Sequence, residues 1–284
     1  MGAAVGERLM SQGHQLVVWN RNPEKAKGLV EKGATVAATP AALAGEAEVV
    51  ITLLSDAGAI DSVYRGPEGL LSGKCAGKLF IEMSTVRPEV ERKLAGDVVA
   101  KGARMIECPV GGTTGPAKEG RLLGFVGGEA ADVARAKPLL DQMCRRHEHV
   151  GAVGAGAAMK LAINLPLLVW YQACGEALTL CNQIGLDPAR VMDIFADTSG
   201  APTMLKARAP KIAEVLKGID PVPTNDVDLA RKDLRTMLDE ARSLGANLPV
   251  AEKVLEIYDR AAKEGWGARD QTTLASYWPR RGKG

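Results

Sequence analysis

Aromatic residues are scarce in this chain: Phe, Tyr and Trp together make up 4% of its 284 residues. So thin a supply argues against a surface on which nucleic-acid bases stack. An excess of one charge is also missing. Lys and Arg number 36 against 34 Asp and Glu, a formal net charge of +2. That balance gives no reason to expect nucleic acid or an anionic membrane as a partner. Histidine occurs as His14, His147 and His149, too few and too scattered for a metal cluster. His147 and His149 read as residues leading into a solvated strand rather than as catalytic groups. The cysteines (Cys75, Cys108, Cys144, Cys174 and Cys181) form no Cys-x-x-Cys pair and have no His at metal-binding spacing. They read as free thiols of a reducing, cytoplasmic compartment, with no structural zinc. Long hydrophobic runs are absent too. The charge-free stretch Leu161–Gly175 is too short to span a membrane and contains Asn164, Pro166 and Gln172. Glu7 and Arg8 interrupt the N-terminal segment, so no secretory leader is expected.

What the chain does have is glycine, 32 residues of it. Glycine serves tight turns and close approaches of backbone to ligand. Charged residues at 25% and hydrophobic residues at 46% are ordinary for a folded soluble protein. They exclude a disordered chain, a coiled coil and a collagen-like repeat. The length suffices for two domains or one large α/β unit.

Hydrophobic periodicity divides the chain in two. Residues 3–12 read as a helix, 15–19 as a strand and 24–32 as a second helix. Strands are then expected at 35–36, 48–54, 79–82, 104–108, 122–126 and 149–153. Helices fall between them at 40–45, 57–63, 88–101 and 130–144. This alternation predicts an α/β fold, a doubly wound parallel sheet over residues 1–153. Beyond Gly156 the pattern is helical throughout. A long helix is expected over 157–184, with Pro166 kinking or breaking it. Others follow near 188–197, 203–217, 226–244, 249–264 and 269–277. Residues 154–284 thus read as an all-α second domain.

Several segments carry chemistry. A helix opens at Met1-Gly2, and the strand after it ends in Asn20-Arg21. In a dinucleotide-binding unit that strand end reads the adenosine ribose: an acidic residue favours NAD, and an arginine accepts a 2′-phosphate. Asn20-Arg21 therefore leans to NADP, although a solvated surface turn would account for it equally. Ser84 and Thr85 follow the strand ending at Glu82, where a sheet of this kind meets its ligand. Thr85 could donate to a ligand or merely cap a helix. Gly111-Gly112-Thr113-Thr114 combines free backbone N–H groups with two hydroxyls, a neutral cradle for a carboxylate. Lys160 and Asn164, four apart, share one face at the start of the long helix. Neighbours Ala157, Ala158, Met159, Leu161 and Ala162 make the stretch apolar. The helix dipole and partial burial should together lower the Lys160 pKa toward neutrality, where a lysine can exchange a proton. Lys232-Asp233 could be no more than a pair on a helix surface.

In order and spacing, these segments resemble the β-hydroxyacid dehydrogenase family, which includes 3-hydroxyisobutyrate dehydrogenase and is related to 6-phosphogluconate dehydrogenase. The resemblance spans essentially the whole chain. It is carried by Met1-Gly2, Trp19-Asn20-Arg21, Met83-Ser84-Thr85-x-x-Pro88, Pro109-Val110-Gly111-Gly112, Gly154-x-Gly156-x-x-x-Lys160-x-x-x-Asn164 and Lys232-Asp233-Leu234. It implies a Rossmann domain followed by a helical domain. It implies that Lys160 is the catalytic lysine and Asn164 the residue that orients the substrate. Cofactor contacts fall on Met1, Gly2, Asn20, Arg21, Leu54, Ser55, Thr85 and Lys232. The substrate's acid group falls to Gly111, Gly112, Thr113 and Thr114, with Asn164 beside the reacting oxygen.

Departures from the family pattern accompany the match. Gly111 stands where the family usually has Ser, and Thr113 stands for its second Gly. Relatives that reduce sulfolactaldehyde carry an arginine at the position of Gly112, which puts a sulfonate substrate in question. Leu165 replaces a second Asn. The family's first strand and first two fingerprint glycines would precede Met1. Without that strand the sheet should open by roughly two strand spacings of about 4.8 Å, with unpaired backbone groups on both walls. A chain that truly opened at Met1 is expected to bind cofactor weakly or not at all.

The expected function is hydride transfer between NADP, or alternatively NAD, and a small β-hydroxyacid or its semialdehyde. A non-catalytic, dehydrogenase-like association module is the rival reading, and the Lys160/Asn164 pair speaks against it. Imine reductases share the architecture but typically lack the lysine. The resemblance further implies a homodimer or homotetramer. Leu168, Trp170 and Leu178 are candidates for that interface or for the internal core.

Overall fold

The computed structural model describes residues 1–181 and 183–281, which divide into two compact units, 1–161 and 162–284. In the first, α1 (Gly2–Ser11) leads to β1 (Val17–Val18). A 3₁₀ turn over Pro23–Ala26 opens α2 (Lys27–Val30). Then come β2 (Thr35–Val36), α3 (Pro40–Glu46), β3 (Val49–Thr52), α4 (Ala57–Arg65), β4 (Leu79–Glu82), α5 (Pro88–Ala100) and β5 (Arg104–Glu107). A short β6 (Val110–Gly111), α6 (Thr114–Lys118), β7 (Leu122–Gly127), α7 (Ala130–Met143) and β8 (Cys144–Gly151) complete it. The helix α8 (Ala155–Leu180) begins in this unit and runs on into the second.

Local sequence explains the helix starts. Thr39 and Asp56 accept hydrogen bonds from backbone N–H groups of the first turns of α3 and α4. Pro40 and Pro88 occupy early helical positions, where the missing N–H costs nothing.

Side chains alternate across the strands, so one sheet serves two cores. Leu79, Ile81 and Ile106 pack with Val5, Leu9 and Leu140, from α1 and α7. Phe80 and Met105 pack on the other face with Ile60, Tyr64, Leu94 and Val98, from α4 and α5. Helices on both faces are the doubly wound arrangement expected.

The sheet itself departs from a single parallel array. β1 pairs with β2 in a parallel two-stranded piece. The remaining strands form a six-stranded sheet in the order β3-β4-β5-β7-β6, with β8 also on β7. Among the described residues no ladder joins β1 to β3, so the sheet is divided where the open slot was expected. β3, β4 and β5 are parallel, as are β7 and β8, but β7 runs antiparallel to β5 and β6. The connection from β6 to β7 runs only over residues 112–121, with the single short helix α6 in it, too little for the crossover of a dozen or more residues that parallel neighbours need. The last strand is also displaced: 149–153 was expected, and β8 occupies Cys144–Gly151. Its exposed polar residues hide it from a hydrophobic pattern. His147 and His149 lie within it, their Nε2 atoms paired with Asp141 Oδ1 and the Gly128 carbonyl at 2.8 Å each.

The second unit contains the rest of α8, then α9 (Pro188–Ala196), α10 (Leu205–Leu216), α11 (Val227–Ser243), α12 (Pro249–Ala261), a π turn at Ala262–Trp266, a 3₁₀ segment at Gln271–Ser276 and α13 (Tyr277–Arg281). α8 runs through Pro166 without the local break that was one of the two outcomes expected there. Tyr171, Cys174 and Leu178 of α8 pack with Met192, Leu205 and Ile212. Leu168 and Leu178 are buried within this unit, and Trp170 donates from Nε1 to the Gly200 carbonyl at 3.1 Å. These three side chains serve the internal core. Among the described residues no helix is long and apolar enough to cross a membrane, and no group of His, Cys, Asp and Glu is placed to hold a metal.

Candidate active site

The carboxyl ends of β3, β4 and β5 lie in register, Thr52 opposite Glu82 and Glu82 opposite Glu107. Beyond such ends an α/β sheet meets its ligand. The structure brings two of the expected cofactor segments together there. The Leu54 N–H donates to Ser84 Oγ at 2.8 Å. Ser84 is held in turn by Glu82: its N–H donates to Oε2 at 2.8 Å and its hydroxyl to Oε1. Thr52 Oγ1 also donates to Glu82 Oε1 at 3.4 Å, and pairs with the Tyr64 hydroxyl at 2.7 Å. Thr85 follows, half-buried. Ser55 is exposed and donates to Asp56 Oδ2 at 2.7 Å.

Met1 and Gly2 start α1, exposed and with no acidic residue in the first turn. A Cβ placed on Gly2 would stand 3.9 Å from Leu53 Cβ, so the helix start lies beside the end of β3. An open N-terminal turn of this kind suits a pyrophosphate. Asn20 and Arg21 follow β1, which belongs to the separate two-stranded piece. The Asn20 Oδ1 accepts from the Asn22 N–H at 2.9 Å. Arg21 is exposed and makes no ion pair among the described residues. These positions fit a dinucleotide: an uncrowded helix start, polar strand ends and an uncommitted guanidinium.

In the glycine-threonine loop, Gly111 closes β6 half-buried. Gly112 has φ +130°, a backbone geometry that disfavours any side chain. Thr113 stands at the cap position of α6 without capping it through its hydroxyl, and Thr114 is the first helical residue. Both are half-buried.

Lys160 lies in the second turn of α8 and is only 8% exposed. Asn164 sits one turn further along the same helix, half-buried. The start of α8 is closed by a residue from β5. Glu107 Oε1 accepts from the N–H groups of Gly154 at 2.5 Å and Gly156 at 2.9 Å, and Oε2 accepts from Ala157 at 3.3 Å. Burial pushes the Glu107 carboxyl up and the three amides pull it back, leaving it at about 7. Burial likewise raises Glu82. Burial also pushes Glu91 on α5 well above the usual range, and the Glu82 charge beside it adds to the rise. In the second unit, Lys232 on α11 forms an ion pair with Asp233 at 2.7 Å.

Residues 1–153 match the NAD binding domain of 6-phosphogluconate dehydrogenase. Residues 154–278 match the NAD-binding domain of NADP-dependent 3-hydroxyisobutyrate dehydrogenase. The chain belongs to the β-hydroxyacid dehydrogenase family. It is 35% identical to the 3-sulfolactaldehyde reductase of Escherichia coli, over 96% of this chain and 91% of that one. It is 33% identical to the 3-hydroxyisobutyrate dehydrogenase of Pseudomonas aeruginosa, over 93% and 89%. The solved 3-hydroxyisobutyrate dehydrogenase of Mycobacterium tuberculosis with L-serine superposes with a TM-score of 0.84 at 26% identity, over 98% and 95%. The Rossmann domain followed by a helical domain is therefore the family fold, and the chain is an NAD(P)-dependent oxidoreductase.

Within that family frame, sequence reasoning overlooked the glutamates. Glu82, Glu91 and Glu107 are all 0% exposed. A signal was present: β4 reads Leu-Phe-Ile-Glu and β5 reads Arg-Met-Ile-Glu. An acidic residue at the end of an apolar strand has to be paired or protonated. That two such residues stand side by side needed the register.

Proposed function

We propose that this oxidoreductase interconverts a small β-hydroxyacid and its semialdehyde, with NADP as the preferred cofactor. Support comes above all from Lys160, a lysine 8% exposed at the start of an apolar helix, one turn before Asn164. A buried ammonium is costly unless charges or dipoles around it compensate, so a lysine in this position is an unusual choice for a purely structural helix. In this reading the Lys160 Nζ gives a proton to the substrate oxygen during reduction and takes it back during oxidation. Asn164 orients that oxygen. Gly111 and Gly112 present backbone N–H groups, and Thr113 and Thr114 hydroxyls, to the acid group. Met1, Gly2, Leu54, Ser55, Thr85 and Lys232 hold the dinucleotide, with Asn20 and Arg21 at its ribose. When bound, the nicotinamide supplies or accepts the hydride. The test is a steady-state assay of 3-hydroxyisobutyrate oxidation with NADP. No turnover on it or on other short β-hydroxyacids would defeat the reading.

Arg21 gives this reading a sharp check. Exposed and outside any ion pair among the described residues, its guanidinium is available for a 2′-phosphate. Arg21→Ala should raise the KM for NADP by about tenfold or more, as expected for loss of a hydrogen bond to a charged group. The KM for NAD should stay nearly constant. Equal changes for both cofactors would remove Arg21 from the phosphate site. Gly112 supplies no guanidinium, which favours a carboxylate over a sulfonate substrate. Competition between 3-hydroxyisobutyrate and sulfolactaldehyde measures that choice.

A homodimer or homotetramer in the cytoplasm completes the reading. Met159, Ile163 and Leu180 of α8 are exposed large apolar residues, 41%, 39% and 83% accessible, of the kind a second subunit would cover. Light scattering on the eluting protein tests it, and a monomer would refute it.

A further inference from the structure

We propose that Glu107 is a positioning residue for Lys160: its carboxylate closes the first turn of α8, sets that helix against the sheet, and places a negative charge next to the turn that carries the lysine. The inference rests on the reading of Lys160 as the proton-exchanging group. It stands on three observations of the first unit. The carboxylate accepts the N–H groups of Gly154, Gly156 and Ala157, donors that a helix otherwise leaves without partners. Two glycines make room for it. A Cβ on Gly127 of β7 would collide with Glu107 Oε1, and one on Gly156 would collide with the Phe125 carbonyl and crowd the Glu107 side chain at 3.3 Å. Lys160 lies four residues after Gly156, on the same face of the helix one turn along.

Other groups face Glu107 from the elements around it. They are Glu82 at the neighbouring end of β4, Glu91 on α5, and Cys108 directly after β5. Arg92 on α5 reaches Gly154, where its guanidinium lies close to the position of a Cβ. On β8, His149 pairs with the carbonyls of Gly128 and Gly151. Burial and the Glu82 charge push the Glu107 proton on, and the three amides push it off.

The coupling follows from electrostatics. The N-terminus of a helix carries about half a positive charge, which disfavours an ammonium in its first turns. An ionised Glu107 cancels that charge and favours the Lys160 ammonium. A protonated Glu107 does not, and its Oε2 then has a proton to donate where the Ala157 N–H also donates. Lys160 and Glu107 should therefore titrate as a pair.

The test needs no ligand. Lysines of the full chain are reductively ¹³C-methylated, Lys160 is assigned with Lys160→Arg, and its titration is followed by NMR. The amides of Gly154, Gly156 and Ala157 are followed in parallel. In the wild type these amides should shift with a midpoint near 7, and the Lys160 curve should show an inflection at that same pH. In Glu107→Gln the amide titration should vanish, and the Lys160 midpoint should fall by about 0.5–1 pH unit, the effect of removing one nearby charge. Glu107→Asp keeps the charge and should keep most of the wild-type midpoint. A Lys160 midpoint unchanged in a folded Glu107→Gln overturns the proposal. Should that variant not fold, the wild type decides, because a Lys160 curve with no inflection near 7 overturns it equally. Turnover of Lys160→Ala separately tests whether Lys160 is the proton donor, so the two readings fail by different results.

Discussion

Lys160→Ala is expected to lower kcat by about two to four orders of magnitude, the usual share of general acid–base catalysis. The side chain is buried in the second turn of α8, and alanine is the best helix former, so the helix itself should persist. The loss should therefore fall on turnover and leave the cofactor KM nearly constant. A proton that Lys160 gives or takes is exchanged only as the bond to hydrogen is made or broken, so the lost interaction belongs to the transition state. Circular dichroism confirms the fold of the variant, and steady-state rates with NADP and 3-hydroxyisobutyrate measure the effect. Activity within threefold of wild type would exclude Lys160 from proton transfer.

The second large effect concerns the helical unit. Asp270 is 0% exposed and gathers donors on both oxygens. Lys211 Nζ donates to Oδ2 at 2.7 Å, with the Thr224 N–H at 2.9 Å and the Thr224 hydroxyl at 3.1 Å. The Thr272 N–H and hydroxyl donate to Oδ1 at 3.0 and 2.7 Å. Burial alone would raise this carboxyl, but these donors outweigh it and hold it at about 2. Asp270→Ala strands Lys211 and the threonine donors together. It should cost about 3 kcal/mol, the lower end for a broken buried ion pair, because Lys211 still reaches solvent. The sign of the pH dependence follows from the lowered pKa. The contribution is complete above the ordinary aspartate value and is lost as pH falls toward about 2. Urea unfolding of both proteins from pH 7 down to pH 2 should show the gap closing. A gap of constant size would mean that the carboxylate's charge is not what stabilises the unit.

Glu107 shows how far a sequence can be read. That Lys160 and Asn164 share a face was legible because an α-helix repeats at a fixed spacing. A lysine four residues before an asparagine, in an apolar run after two glycines, is visible in one dimension. Glu107 lies about fifty residues from the helix it caps. Nothing local announces that β5 ends beneath the start of α8. Glu82 was missed for the same reason, since Ser84 and Leu54 are brought together only by the β3–β4 register.

The helical elements were the most readable. Their hydrophobic stripes, caps and early prolines are contiguous in sequence, so most of their ends fall within a few residues of expectation. The exceptions are α6, which was not expected, and the helix expected at 269–277, which is a 3₁₀ segment followed by α13. Strands were less so where they were polar or very short, as in β8 and β6. The antiparallel course of β7 was unreadable because strand direction depends on the path of the connection, which hydrophobic pattern does not encode.

By itself the sequence determined the alternation of strands and helices, the helical second half, and the Lys160-Asn164 face. All of these follow from side-chain periodicity along continuous stretches of chain. Only the tertiary structure decided that β7 reverses and that three buried glutamates gather behind the strand ends. Pairing register and burial arise between segments distant in sequence. The same is true of the charge at the foot of the lysine helix: it exists because folding brings the end of β5 to three amides that a helix cannot satisfy on its own.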